Sequence, residues 1–185
     1  MNDTPKNSYH HGDLPAALLR SARILLEGDG IAALKLRAIT RHAGVSAMAA
    51  APHFGNLAGL LSALAAEGFA ELANAMAPDR APEPRDVALA YVRFAIANPG
   101  LFTLMFRSDA IDRSDDTLQA ASARAFERLS GLAKAEPTED HTAMMIGLWG
   151  KVHGVAVLAM DGLLSGITTI QTPDGLEAVL NRVFQ

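Results

Sequence analysis

The stretch GVSAMAAAPHFGN, residues 44–56, decides how the first third of this chain is read. It lies between LRAITRHA (36–43) and LAGLLSALAAEGFAELANAM (57–76), both with apolar residues at helical spacing. Gly44 supplies the left-handed backbone conformation that turns one helix into the next. Val45 is placed to pack between the two helices, and Ser46 is a cap candidate for the second. Two short helices joined by AGVS have the size of a helix-turn-helix, whose second helix enters the major groove of DNA. Yet the segment holds four alanines, one proline and no acid, lysine or arginine. A polyanion would meet few charged side chains there.

Working outward, Leu14, Leu18, Ala22, Leu25 and Leu26 recur at helical spacing, with Asp13 as a cap and Gly28 and Gly30 as the stop. A short helix over Leu36–Ala43 turns Ala38, Ile39 and Ala43 inward and leaves Arg37, Arg41 and His42 in water. Asn56 caps a long apolar helix reaching Met76, with Leu60, Leu61, Leu64 and Phe69 on its buried face. APDRAPEPRD, residues 77–86, contains three prolines, which deny a helix its donors. The boundary is therefore set there: a head over 1–76, ordered from residue 10, and a body over 77–185. Helices are expected in the body near 84–97, 99–107, 114–134, 139–165 and 173–184, with Pro99 and Pro173 as initiators. The fold class is all-α: a three-helix head of helix-turn-helix type and a helical C-terminal domain.

Composition narrows the function. Half of the 185 residues are hydrophobic, enough for a sizeable core, and there is no cysteine. Disulfides, thiol catalysis and thiolate metal sites are excluded. No run approaches the roughly 20 unbroken apolar residues of a membrane helix, and the polar N-terminus lacks a signal-peptide centre. A cytoplasmic location with no membrane partner is expected. Residues 1–56 carry six Lys/Arg against four Asp/Glu, and the remainder ten against sixteen. A mildly basic head on an acidic body suits a nucleic-acid contact made by the head. No pair of histidines has metal-ligand spacing with an acid between, and no Gly-rich loop follows a strand. Neither an enzyme nor a metal or other cofactor is expected.

The run YHHGDLPAALLRSARILLEGDGIAALKLRAITRHAGVS (9–46), followed by HF (53–54) and LAGLLSALAAEGF (57–69), resembles the TetR family of repressors. In the C-terminal half, NPGLFTLMF (98–106) and LWGKVHGVAVL (148–158) are similar to the WHG-type ligand domain of one branch of that family. The resemblance implies a homodimer whose heads bind double-stranded, palindromic operator DNA and whose bodies bind a small molecule. It implies a ligand-responsive transcriptional regulator, a repressor released from its operator by a small, largely apolar effector.

The family pattern breaks at three positions. An aromatic and often a basic residue usually precede HF, where this chain has Ala51 and Pro52. After HF the family usually has an Asp-Lys or Asn-Lys pair, where this chain has Asn56 and Leu57. Phosphate contact then falls to Lys35, Arg37, Arg41, His42 and His53, with the helix starts near Ser46 and Asn56 adding backbone N–H groups. Ser46, Ala47 and Met48 are the residues placed to touch bases. Lys6, His10 and His11 on the N-terminal arm are within reach of a minor groove. The alternative reading is a TetR-like small-molecule-binding protein with weakened or lost sequence-specific DNA binding.

In the body, Trp149 and His153 share a helix face four residues apart, with Met145 one turn before. Gly147, Gly150 and Gly154 imply close helix packing or room for a ligand. Phe102, Met105 and Phe106 are expected to face the same space, giving an apolar pocket with few polar atoms. The same residues also suit a plain core. The dimer contact is expected from the last two helices through Leu163, Leu164, Val179, Leu180 and Val183.

Overall fold

A computed structural model describes residues 14–77, 83–133, 140–166 and 173–184. Among these are nine α-helices and no strand. They are α1 (Leu14–Asp29), α2 (Leu36–His42), α3 (Ala51–Phe54), α4 (Leu57–Ala75), α5 (Pro84–Ala97), α6 (Pro99–Arg107), α7 (Asp116–Ala133), α8 (His141–Met160) and α9 (Pro173–Val183). Asp13, Lys6, His10 and His11 lie outside the described residues, as does the centre of the proline-rich connection.

The helix starts follow capping chemistry. The Asn56 side chain accepts the Gly59 N–H at 3.0 Å, Asp115 accepts that of Leu118 at 2.9 Å, and Asp140 accepts that of Ala143 at 2.9 Å. Each satisfies a donor that a helix start leaves open. Pro84 and Pro99 sit in first turns, where a missing N–H costs nothing. The long helix expected over 139–165 stops at Met160. The chain turns at Asp161 and at Gly162, whose φ of 71° is left-handed, and then makes a 3₁₀ turn over Leu163–Gly166. At the other end of the chain, Gly28 lies inside α1 and only Gly30 ends it.

One continuous hydrophobic core runs from Leu18 and Leu26 of α1 through α4 to Val152, Ala156 and Leu180. The α4 helix is its spine, packed against α7 along its length and against α6, α1 and α5. It crosses α6 at Gly68, where a methyl group would fall 2.7 Å from both Leu101 Cδ2 and Met105 Sδ. A larger residue there would require the Leu101 and Met105 side chains to move. Ser62 of α4, wholly buried, accepts the Asp112 N–H at 2.8 Å and so anchors the loop between α6 and α7. Between α5 and α6 the chain bends by 106° at Asn98.

The α8 helix is long and apolar enough by length and composition to cross a membrane, with a mean hydropathy of 1.5. The expectation that no run comes near such a span is corrected to that extent. The helix carries an exposed Lys151 in its middle and packs one side against α5 and α7.

Candidate DNA-reading face and aromatic cavity

In the head, Ile39 and Thr40 of α2 are buried and pin the helix inward, the Thr40 hydroxyl donating to the Leu36 carbonyl at 3.0 Å. Arg37, Arg41 and His42 are exposed on the outer side, and Lys35 is exposed just before the helix. Gly44 has φ 72°, and the Val45 N–H closes the turn on the Thr40 carbonyl at 2.9 Å. Val45 packs against the core as its apolar character requires.

The next segment is less regular than a single recognition helix. Ala47–Ala50 form a 3₁₀ turn that runs into the four-residue α3. Ser46 makes no side-chain cap; its carbonyl accepts the Ala49 N–H at 3.0 Å instead. Only Ala50 of this segment is fully buried. Ser46, Ala47, Ala51, Pro52, His53 and Asn56 are exposed, and Met48 is 77 % exposed. The His53 ring stands edge-on to Phe54 at 6.4 Å. Leu57 turns partly into the core, so the position where the family places a lysine contributes packing here. The face is thus an alanine surface with its cations, Lys35, Arg37 and Arg41, on the flank.

In the body, α5, α6 and α8 bring together rings far apart in sequence. Tyr91 and Phe102 are wholly buried and meet edge to face at 5.7 Å. His153 stacks on Phe102 at 5.3 Å, and its Nδ1 shares a hydrogen bond of 2.9 Å with the Tyr91 hydroxyl. Burial pushes the Tyr91 phenol well above its ordinary range, opposed in part by the nearby Trp149 indole. Burial, and then the positive charge of Arg107, hold His153 below its usual value. Both partners are therefore neutral near pH 7. The Trp149 Nε1–H is buried and makes no hydrogen bond of ordinary geometry. A donor left in that state costs about 1–3 kcal/mol.

Two connected openings border this cluster, sharing Phe69, Phe106, Phe126 and Trp149 as walls. The inner one reaches Tyr91 and has room for only about 10 Å³. The outer one has about 210 Å³ and a rim of Arg113, Gln119 and Ser122. Of the residues expected to line a pocket, Phe106 and Trp149 do so. His153 sits immediately behind as the partner of Tyr91. Phe102 is wholly buried behind Phe106, its ring 4.7 Å away, and Met105 is wholly buried and turned against Gly68. Helix geometry explains the split: Met105 precedes Phe106 by one residue and points about 100° round the helix from it. Met145 is half-buried and borders neither opening. The sequence marks Phe69 only as core and does not mark Tyr91 or Phe126 at all. Each sits in an ordinary amphipathic helix, and only the tertiary fold distinguishes it from core. Among the described residues, no group of three His, Cys, Asp or Glu gathers where it could hold a metal ion.

A polar junction joins head to body. Pro99 offers no N–H, and the next two donors at the start of α6 need an acceptor. Glu27 of α1 supplies it: its carboxylate accepts from Gly100 N at 2.9 Å and Leu101 N at 3.0 Å. Arg23 holds that carboxylate at 3.3 Å, donates to Asn98 Oδ1 at 2.7 Å and reaches Glu71 of α4 at 3.3 Å. A negative side chain at a helix N-terminus also meets the positive end of its dipole.

The surfaces expected to meet a partner copy are mixed. Leu163 is 56 % exposed, and Leu164, Val179 and Val183 are half-buried, but Leu180 is buried within this chain. Leu180 is therefore core rather than a free contact: α9 is tied down by Arg85 to Asn181 and by Arg93 to Glu177. On α8, Ile146 is 57 % exposed, and a methyl placed on Gly147, Gly150 or Gly154 would meet, among the described residues, no atom within 4 Å beyond its own stretch of helix. The three glycines are not explained by packing inside the protomer.

Comparison with known proteins follows the same lines. No curated protein matches the chain. A protein of unknown function from Rhodococcus sp. RHA1 is 28 % identical, with a TM-score of 0.77 over 97 % of both chains. A TetR-like transcriptional regulator from the same organism is 17 % identical, with a TM-score of 0.63 over 98 % of this chain and 96 % of that one. A TetR variant from Acinetobacter baumannii AYE, solved in complex with minocycline, is 19 % identical, with a TM-score of 0.59 over 89 % of this chain and 88 % of that one. The family model of the tetracycline repressor-like C-terminal domain matches residues 85–183, more than half of the chain. With its helix-turn-helix head, all-helical fold and aromatic cavity, this chain belongs to the TetR family of transcriptional regulators.

Proposed function

We propose that this protein is a ligand-responsive, DNA-binding transcriptional repressor, not an enzyme, working in the cytoplasm as a homodimer on a palindromic operator. The functional division falls at the proline-rich connection before Pro84. The head up to residue 76 holds DNA, and the body from residue 77 holds the effector and the partner copy. The observation that carries this reading is the polar junction, because it couples the two parts directly. The first turn of α6 is bound to Glu27 of α1, and the last turn of α6 carries Phe106, a wall of the cavity. A small, largely apolar molecule entering between Phe106, Phe126 and Trp149 displaces α6. At Gly68, α6 lies close against α4, with Leu101 and Met105 side chains over the glycine, so the displacement passes into the helix that supports the reading face. Two heads set for successive major grooves, about 34 Å apart, lose that spacing.

On DNA, Lys35, Arg37, Arg41, His42 and His53 meet phosphates, as do the backbone donors near Ser46 and Asn56. Ser46, Ala47 and Met48 meet base edges, the alanine and methionine by contact with thymine methyl groups. The partner copy covers the exposed strip of α8 and its following turn, with Ile146, Leu163 and Leu164 against their equivalents and the three glycines admitting a close backbone approach. Selection of genomic fragments by the purified protein tests the whole reading. The expected result is an enriched inverted repeat, and recovery of no preferred sequence at low salt would overturn it. Sedimentation adds a check on assembly: the wild type is a dimer at micromolar concentration and Ile146→Asp is a monomer.

A second reading has one specific observation in its favour. Ala51 and Pro52 are exposed where base- or phosphate-binding side chains are usual, and Leu57 packs inward. The protein would then bind its small molecule while holding DNA only through phosphates. A steep salt dependence with no sequence preference is the outcome that selects it.

A further inference from the structure

We infer that the effector is a small monoanionic aromatic acid, its ring held by Phe69, Phe106, Phe126 and Trp149 and its carboxylate by Arg113. This rests on the effector-binding reading of the body and specifies its ligand. The outer opening, at about 210 Å³, is smaller than the roughly 300–1,000 Å³ that houses drug-sized molecules. One or two rings fit. Its walls are ring faces and edges, with Phe126 and Trp149 nearly perpendicular at 4.8 Å. Such walls favour a flat aromatic guest through edge-to-face and offset contacts.

The charge of the guest follows from the rim. Among the residues that line either opening, Arg113 is the one charged side chain, and none is a carboxylate. Among the described residues no acid pairs with Arg113. Its guanidinium donates instead to the carbonyls at the end of α6: Met105 at 3.5 Å, Phe106 at 3.5 Å and Ser108 at 3.2 Å. These bonds are long. They use three of its donors and hold the planar fork beside the cavity, leaving donors for an oxyanion. A cationic guest would face a guanidinium with no compensating acid. A neutral guest would fill the ring space and leave the charge unused. His153 adds no competing cation, because its surroundings keep it neutral. At the inner end the unpartnered Trp149 Nε1–H remains for an acceptor oxygen or ring face on the guest.

Trp149 is the only tryptophan, so its fluorescence reports this cavity alone. The test titrates the full-length protein with 3-phenylpropanoate, its amide and 3-phenylpropylamine, following Trp149 emission and, separately, retention of operator DNA. The acid is expected to bind at least about tenfold more tightly than the amide, with the amine weaker still. Arg113→Gln, its fold checked by circular dichroism, removes the preference, and Arg113→Lys restores part of it. Equal or better binding of the amide or amine overturns the inference, as does absence of binding by all three. The wild-type series decides this even if the Gln variant does not fold. The two readings fail separately. An acid that binds at Trp149 without changing DNA retention sinks the regulator and leaves the site. DNA release by a neutral or cationic aromatic sinks the site and leaves the regulator.

Discussion

The reading face of the head and the aromatic cavity of the body are built by opposite means. Around the cavity nearly every side chain is locked to another, His153 to Tyr91 and Phe102, Trp149 to Phe126, Arg113 to the end of α6. On the reading face, Ser46, Ala47, Met48, Ala51 and Pro52 are exposed, and the side chains with charge stand to one side. The lesson is one of where specificity resides. The body states its chemistry in side chains that have few alternatives. The head presents a backbone shape, held by Gly44 and Asn56, with its cations on the flank.

The largest effect is expected from truncating a ring in the body. Phe102→Ala empties space among Tyr91, Phe106 and His153, and a loss of about 3–5 kcal/mol is expected. It is measured as a lower urea midpoint at unchanged slope; a loss below about 1 kcal/mol would show that the cluster re-packs and is not locked. The head should respond in another currency. Replacing Arg37 and Arg41 together by alanine leaves stability within about 0.5 kcal/mol. It lowers the salt slope of DNA binding by roughly 1.8, two phosphate contacts at about 0.9 each. An unchanged slope would remove both arginines from the DNA contact.

Between the two regions, Glu27→Ala opens the donors at the start of α6. A cost of about 0.5–2 kcal/mol is expected from loss of a cap, together with DNA binding that no longer responds to ligand. Full response in a stable Glu27→Ala protein would show that the head is moved by α4 alone. The smallest effect is the most diagnostic of burial. His153 in the fold ionises below its ordinary 6.5, so the unfolded chain takes up this proton first. Its contribution is complete above about pH 6.5 and is lost as the pH falls through the lowered value in the fold. Urea midpoints taken above and below that pH should diverge in the wild type and diverge less in His153→Gln.

Much of this was legible in the chain itself, for reasons that particular residues make plain. Pro84, Pro99 and Asn56 mark helix starts by local chemistry, so those boundaries fall where expected. Gly44 marks its turn by backbone freedom alone. Local signals failed where a distant partner decides. No pattern around NPG reveals that its open donors are met by Glu27, more than seventy residues earlier. The apolar periodicity of α8 runs on past Met160, but Gly162 stops it, and a single glycine competes weakly with that pattern on paper. Leu180 looked like an interface residue because amphipathic helices present the same stripe to a core and to a partner. Trp149 and His153 stand out in the sequence as rare polar rings on an apolar helix; Trp149 lines the cavity and His153 sits behind it. Phe69 and Phe126 gave no such notice.

The Arg23–Glu27–Glu71 cluster lies near the surface, with a quarter to a half of each side chain in water. Ions at physiological concentration screen charges over about 8 Å, and dissolved salt therefore reaches this joint as well as the DNA phosphates. On the proposed function, osmotic or saline stress acts on the protein twice, thinning its hold on the operator and loosening the polar junction between body and head. A cell that accumulates salt would find the switch both less occupied and less obedient, before any effector molecule arrives.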